Sequence, residues 1–252
     1  MTDLSRRNLI KTGLAAASGI AGLGVATGLA KNYGLIPPDY GGIWGAGETL
    51  NYASYRLLTN HSMAREFARS EISTRPLANE IPPLNDAFKK LQAGGFADWR
   101  LNVDGMVDRP GMFSLEQLRS YPSRSQITQL ACEEGWSYVA EWTGVPLSHV
   151  LEVAGIQPQA RYDVYFSIDP DWWDSIDMVD ALHPQTYLAY GMNGGDLSVE
   201  NGGPLRMRVP RQLGYKNVKF ITRLAVTDDL RKFGKGLGSA SPEGGYAWFA
   251  GI

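Results

Sequence analysis

One residue in this chain of 252 is a cysteine, Cys132, in the segment Gln129-Leu-Ala-Cys132-Glu-Glu-Gly-Trp136. A lone cysteine has no internal disulfide partner, so the thiol needs another explanation. Three chemistries compete: an inert buried thiol acting as a small hydrophobe, a nucleophilic thiolate wanting a histidine partner, or a soft metal ligand wanting other groups to complete its shell. None of the three histidines, His61, His149 and His183, has the spacing of a metal site. A few other residues could do chemistry. Glu133 and Glu134 are proton donors beside the thiol or simply solvated acids. Arg206 and Arg208 alternate along a strand and could be two exposed side chains. Lys219 on its own reads as a surface charge, and Trp172-Trp173 with Tyr190 line a substrate funnel or fill a core. Composition does not choose among these.

The elements around these residues are mostly strands. Ser125 to Ala131 reads as a short strand, which places Cys132 where it runs out into a glycine-containing turn. Trp99, Leu101 and Val103 alternate with Arg100, Asn102 and Asp104, the period of a half-buried strand. Ser114-Leu-Glu-Gln117 resembles a capping box opening a short helix that ends before Pro122. A second helix is expected over Leu147 to Ala154, closed by Gly155. Further strands are predicted over Tyr162–Ile168, Thr186–Met192, Leu205–Val209 and Val218–Thr227, with a helical turn over Met178–Leu182 and a tight hairpin at Asn193-Gly-Gly. The fold class expected is α+β and mostly β, consistent with 29 glycines and 14 prolines. Residues 31–98 read as an irregular arm wrapping the domain of 99–252, with one helix from Tyr52 to Phe67 that turns Leu57, Leu58 and Met63 inward.

The start of the chain carries its own address. Ser5-Arg-Arg-Asn-Leu-Ile-Lys11 matches the twin-arginine export pattern, and Thr12 to Ala30 is uncharged. Residues 1–30 are therefore expected to be an export signal read by the twin-arginine translocase, which delivers a folded protein to the periplasm. Its 19 uncharged residues could also stay as a membrane anchor. The remainder holds 21 basic against 25 acidic side chains, which gives no pull towards nucleic acid.

Five blocks in fixed order carry a resemblance. They are Trp99-Arg-Leu-Asn-Val-Asp-Gly105, the Cys132 segment, Trp142-Thr-Gly-Val-Pro-Leu147, Leu188-Ala-Tyr-Gly-Met-Asn-Gly194, and Asn201-Gly-Gly-Pro-Leu-Arg206 with Gly214-Tyr-Lys-Asn-Val-Lys219. Together they resemble the molybdopterin domain of sulfite-oxidase-fold oxidoreductases, and among these the pattern is most similar to periplasmic methionine-sulfoxide reductase catalytic subunits. The resemblance implies a molybdenum-molybdopterin cofactor with Cys132 as the metal's protein ligand and the catalytic residue. It also implies that Asn201, Arg206, Asn217, Val218 and Lys219 hold the pterin phosphate. Ser167 falls at a hydroxyl position of the family. Asn51, with Tyr55 and Arg56 beside it, falls where an N-terminal asparagine touches the pterin.

One departure bears on the reaction. Sulfite oxidases carry basic residues after the cysteine, whereas this chain reads Glu133-Glu134-Gly-Trp136. Two carboxylates beside an anion site would repel sulfite, so a neutral oxo acceptor such as a sulfoxide is expected. Oxidation of a small sulfur compound and a non-catalytic pterin-binding protein are the alternatives. The chain has no Cys-x-x-Cys-His haem motif, so electrons are expected from an external partner, a membrane haem protein or a soluble carrier. A monomer is expected.

Overall fold

The computed structural model describes residues 30, 34–78, 82–83 and 85–252. The twin-arginine stretch, residue 30 apart, lies outside the described residues. The elements run α1 (Ala46–Leu58), α2 (Asp86–Ala93), β1 (Arg100–Gly105), β2 (Gly111–Ser114), α3 (Leu115–Ser120), β3 (Arg124–Ala131), β4 (Ser137–Pro146), α4 (Leu147–Ala154), β5 (Tyr162–Ser167) and β6 (Trp173–Asp177). They continue with α5 (Met178–Ala181), β7 (Tyr187–Met192), β8 (Gly195–Asp196), β9 (Arg206–Arg208), β10 (Ile221–Thr227) and α6 (Ala240–Glu243). The architecture is α+β with short helices.

The strands form two sheets. One is ordered β2-β1-β10-β5-β6, with β1 and β10 parallel and the other pairs antiparallel. The second is ordered β3-β4-β7-β8, and β9 also pairs with β7. One apolar cluster draws on both: Leu101 and Val103 from β1, Leu224 from β10, Val145 from β4 and Leu188 from β7. Burial of that shared core locks the sheets together, because each strand's alternate residues leave water only when the facing sheet is present.

Local chemistry sets the element ends. Ser114 accepts from the Gln117 amide at 3.1 Å and Gln117 returns a bond to the Ser114 amide at 2.9 Å, the expected capping box. Gly155 closes α4 in the left-handed region at φ 73°. Asn193 and Gly194 both have positive φ in the two-residue turn between β7 and β8.

The first helix departs from expectation. It runs Ala46–Leu58, not 52–67, and Thr59 ends it with both its amide and its hydroxyl on the Tyr55 carbonyl. Its inward residues are Glu48, Tyr52 and Arg56, whereas Leu58 and Met63 are exposed. Apolar periodicity misplaced it because buried polar contacts, not leucines, hold it down. Past Thr59 the chain runs along β3, where Glu66 bridges Thr128 and the Phe67 amide donates to the Ile127 carbonyl. The arm thus covers a strand edge that would otherwise be unpaired. Helix α2, which the sequence did not announce, is capped by Asn85 and buries Phe88 against Trp99 and Phe220.

Candidate functional site

Strand β3 ends at Ala131, and Cys132 begins the five-residue connection to β4. The Cys132 amide donates to the Trp136 carbonyl at 2.9 Å, and the Gly135 amide to the Cys132 carbonyl at 3.1 Å. Gly135 takes φ 91°, which favours glycine there. The thiol is therefore fixed at the end of a paired strand. It opens onto a cavity of about 380 Å³, a volume in the ordinary range for a small-molecule or cofactor site.

Six of the ten residues that the resemblance gives to the cofactor line this one cavity: Cys132, Ser167, Arg206, Asn217, Val218 and Lys219. They come from the end of β3, the end of β5, β9 and the 217–219 segment ahead of β10, so only the folded sheets bring them together.

The basic wall is rigidly built. Arg206 and Arg208 lie on the same face of β9 and both are buried, which removes the reading of two exposed side chains. Arg206 donates to the main-chain carbonyls of Asn201 at 2.7 Å and Asn217 at 2.8 Å, and its guanidinium stands over Trp142. Asn217 orients both arginines, because its Oδ1 also accepts from Arg208 at 2.7 Å and from the Val209 amide at 2.8 Å. Burial, with Arg206 adding repulsion, pulls Arg208 down to about 10, so it still carries its charge at neutral pH. Lys219 donates to the Glu200 carbonyl at 3.0 Å. The 201–204 turn passes directly over this lysine: a Cβ on Gly202, at φ 98°, would lie 2.6 Å from Lys219 Cγ. Asn201 does not line the cavity; it acts through its carbonyl on Arg206, and its side chain donates to Ser198.

The thiol wall is acidic and aromatic. The Cys132 thiol donates to Glu133 Oε2 at 3.3 Å and stands 3.7 Å from Glu134 Oε2. The Trp136 indole N–H holds that Glu134 oxygen at 2.7 Å, and its ring stacks on Tyr138. Burial pushes the Cys132 thiol up to about 12; the Glu133 carboxylate adds to this, against a main-chain donor at Glu134. The sulfur thus keeps its proton at neutral pH. A nucleophilic cysteine needs the opposite shift and a base, and none of the three histidines lines the cavity. A bound metal ion displaces such a proton by its own charge.

The three N-terminal candidates are not brought here. Asn51 is exposed on α1, and Tyr55 packs edge-on against Phe249. Arg56 is engaged in buried ion pairs with Asp177 and Asp180 at 2.7 and 2.8 Å. Tyr190 is buried beneath Arg119 and does not line the cavity, whereas Trp172 and Trp173 both do. Sequence reasoning missed Asp174, Tyr215 and Ser241 on the cavity wall, together with Lys216 behind them. Lys216, fully buried, pairs with Asp174 at 2.5 Å, and Ser241 donates to the other Asp174 oxygen. The run Lys216-Asn-Val-Lys219 held the only sequence signal for Lys216.

Among the described residues, no group of three or more His, Cys, Asp or Glu side chains is placed to hold a metal ion. A metal at Cys132 would draw one sulfur from the protein and the rest of its shell from a non-protein ligand. The donor set fits a molybdenum dithiolene with a phosphate tail: a soft sulfur on one wall, and on the other Arg206 and Lys219 with hydroxyl and main-chain groups.

Comparison with known proteins agrees. The sequence profile of the oxidoreductase molybdopterin binding domain matches residues 89–232. YedZ1 of Azospira oryzae, named as a protein-methionine-sulfoxide reductase subunit, is 36% identical over 178 residues, 71% of this chain and 64% of that protein. MsrP of Xanthomonas axonopodis pv. citri, a protein-methionine-sulfoxide reductase catalytic subunit, is 32% identical over 160 residues, 58% of this chain and 50% of the relative. The chain thus spans half to about two thirds of the curated relatives it matches. Among solved structures, the sulfane dehydrogenase SoxCD from Paracoccus pantotrophus superposes with a TM-score of 0.51 at 23% identity, covering 68% of this chain and 46% of that one. That likeness shows the sulfite-oxidase-type fold alone. The chain belongs to the oxidoreductase molybdopterin-binding domain family, whose cofactor is molybdenum-molybdopterin.

Proposed function

We propose that this chain is a periplasmic oxidoreductase that removes an oxygen atom from a neutral acceptor such as a sulfoxide, with Cys132 as the protein's ligand to molybdenum. The chemistry a molybdenum molybdopterin supplies when bound is two-electron oxygen-atom transfer at a redox-active Lewis acid. The chain's own residues bind and select. Cys132 supplies the thiolate, and Arg206, Lys219 and the main chain of 217–219 grip the pterin phosphate, with Ser167 adding a hydroxyl. Asn201 and Asn217 act by orienting Arg206. Asn51 is exposed, Tyr55 packs on Phe249 and Arg56 pairs with Asp177 and Asp180, so the three stand outside this set.

The observation that carries the choice of substrate is the pair of carboxylates at the thiol, with Asp169 and Asp171 further along the same lining. These four acids, with Asp174 on the same wall neutralised by Lys216, repel a sulfite dianion and admit an uncharged sulfoxide. Reduction of a sulfoxide consumes two electrons and two protons and releases the sulfide and water, so a donor is required. A membrane haem protein or a soluble carrier is the proposed source. Export by the twin-arginine translocase fits a cofactor inserted before transport.

The test is steady-state turnover by molybdenum-loaded protein. Oxidation of a reduced viologen dye by a dialkyl sulfoxide is the expected activity, with negligible sulfite oxidation by ferricyanide. Sulfite turnover exceeding sulfoxide turnover would reverse the assignment, and a fully loaded protein inert to both would favour a non-catalytic role.

A further inference from the structure

Helix α1 is built inside out. Between Gly34 and Ala64 the chain has three formally charged side chains, Asp39, Glu48 and Arg56, and all three are buried. The strip of α1 facing the body is Glu48, Tyr52 and Arg56, four residues apart. Each has a partner there: Glu48 accepts from the Phe249 amide, Tyr52 donates to Asp177, and Arg56 donates to Asp180. The opposite face shows Leu50 and Leu58, 68% and 71% exposed, separated only by the uncharged Asn51 and Ser54. The single 3-10 turn before the helix, Gly42–Trp44, adds Ile43 at 76% and Trp44 at 59%, with Tyr40 just ahead at 63%.

A surface helix ordinarily turns its apolar stripe inward and its charges to water. This one does the reverse, and apolar exposure concentrated without charge marks an interaction surface. Two observations say what covers it. The stretch Thr12 to Ala30 is uncharged and 19 residues long, and Tyr40 follows only ten residues after its end. Ten residues reach at most roughly 35 Å, so a membrane that holds that stretch keeps the face within range. The residue types also suit a bilayer boundary: the Tyr40 and Trp44 rings match the headgroup level, and Ile43, Leu50 and Leu58 the hydrocarbon just beneath. None of these five side chains carries a charge.

We propose that the outer face of α1 and the turn before it rest on a lipid bilayer surface, with Tyr40, Ile43, Trp44, Leu50 and Leu58 in the interface. The contact is apolar, so it needs no anionic lipid and resists salt. It also orients the cavity. Ile43 lies against Gly245, 3.8 Å from where a Cβ there would stand, and the flanking Gly244 and Tyr246 line the cavity. One wall of the cavity therefore adjoins the docked face. The inference holds whatever the cavity binds.

The test uses the protein as the cell produces it and vesicles of phosphatidylcholine, plain or brominated in the acyl chains. All seven tryptophans follow residue 30, so an N-terminal anchor gives no signal of its own. The expected result is quenching by brominated lipid of a component that Trp44→Phe removes. Vesicle partitioning should fall at least about tenfold in the Trp44→Ser, Leu50→Ser double variant, with unchanged circular dichroism and no loss in molar salt. Equal Trp44 emission in plain and brominated vesicles would overturn the proposal. So would partitioning unaffected by the double variant, which would leave the N-terminal stretch alone as the attachment, or cross-links from this face to another protein in place of lipid.

Discussion

Asp163 gives a sharp test of the physical account because it lies away from the cavity and has no compensating partner. It sits in β5 opposite Ile176 and Val226, both in the main apolar core. The residue is fully buried, and neither carboxyl oxygen has a hydrogen-bond partner among the described residues. Burial, with Asp104 adding repulsion, raises the carboxyl from 3.8 to about 7. In the unfolded chain it ionises near the ordinary value. Stability is therefore unpenalised below about pH 4, falls as pH rises towards 7, and levels off above it. Three pH units at about 1.4 kcal/mol each give a cost of about 4 kcal/mol at pH 8. Asp163→Asn keeps the shape of the neutral acid and never ionises. The variant should match the parent near pH 4 and exceed it by about 4 kcal/mol at pH 8, with the difference growing between. Urea unfolding followed by far-ultraviolet circular dichroism at several pH values measures this directly. Taking the difference between the two proteins cancels every other titrating group. A difference that does not change with pH, or a variant less stable than the parent at pH 8, would refute the reasoning.

Three further outcomes follow from the cavity walls. Lys216→Met should destabilise by about 3–5 kcal/mol in thermal or urea unfolding, because it strands the buried Asp174 carboxylate, and Lys216→Met with Asp174→Leu should recover most of the loss. Gly202→Ala should lower the melting temperature by several degrees, for a cost of about 1–3 kcal/mol, since its Cβ meets Lys219 and φ 98° is strained for alanine. Asn217→Ala should cost about 2–4 kcal/mol and reduce molybdenum retained per chain, because it removes the acceptor shared by Arg208 and the Val209 amide.

Cys132 is legible from its place after a strand, whereas Arg206, Asn217, Val218 and Lys219 are legible only through the family resemblance, because residue type alone leaves Arg206 and Lys219 open to surface readings. The strand expected over Val218–Thr227 begins only at Ile221, so the structure puts Val218 and Lys219 in the segment ahead of it. What could not be read was long-range pairing. Trp173–Asp177 forms a strand although it holds three polar residues, because it pairs along β5 and Asp174 meets a lysine 42 positions away. The first helix was placed some residues late for the same reason: its anchors, Asp177 and Asp180, lie more than a hundred residues downstream. Local periodicity reports burial of apolar side chains, and here the buried strip is polar. Asn51, Tyr55 and Arg56 are linked to the pterin by the family resemblance alone, and in the structure the Arg56 guanidinium pairs with Asp177 and Asp180.

The most direct test of the central claim is molybdenum X-ray absorption on protein purified from a host that loads this cofactor, alongside Cys132→Ser. The account predicts molybdenum close to one per chain, and one fewer sulfur around the metal in the variant. An unchanged sulfur count would show that Cys132 is not the ligand. Absence of molybdenum from a well-folded parent chain would contradict the cofactor assignment itself.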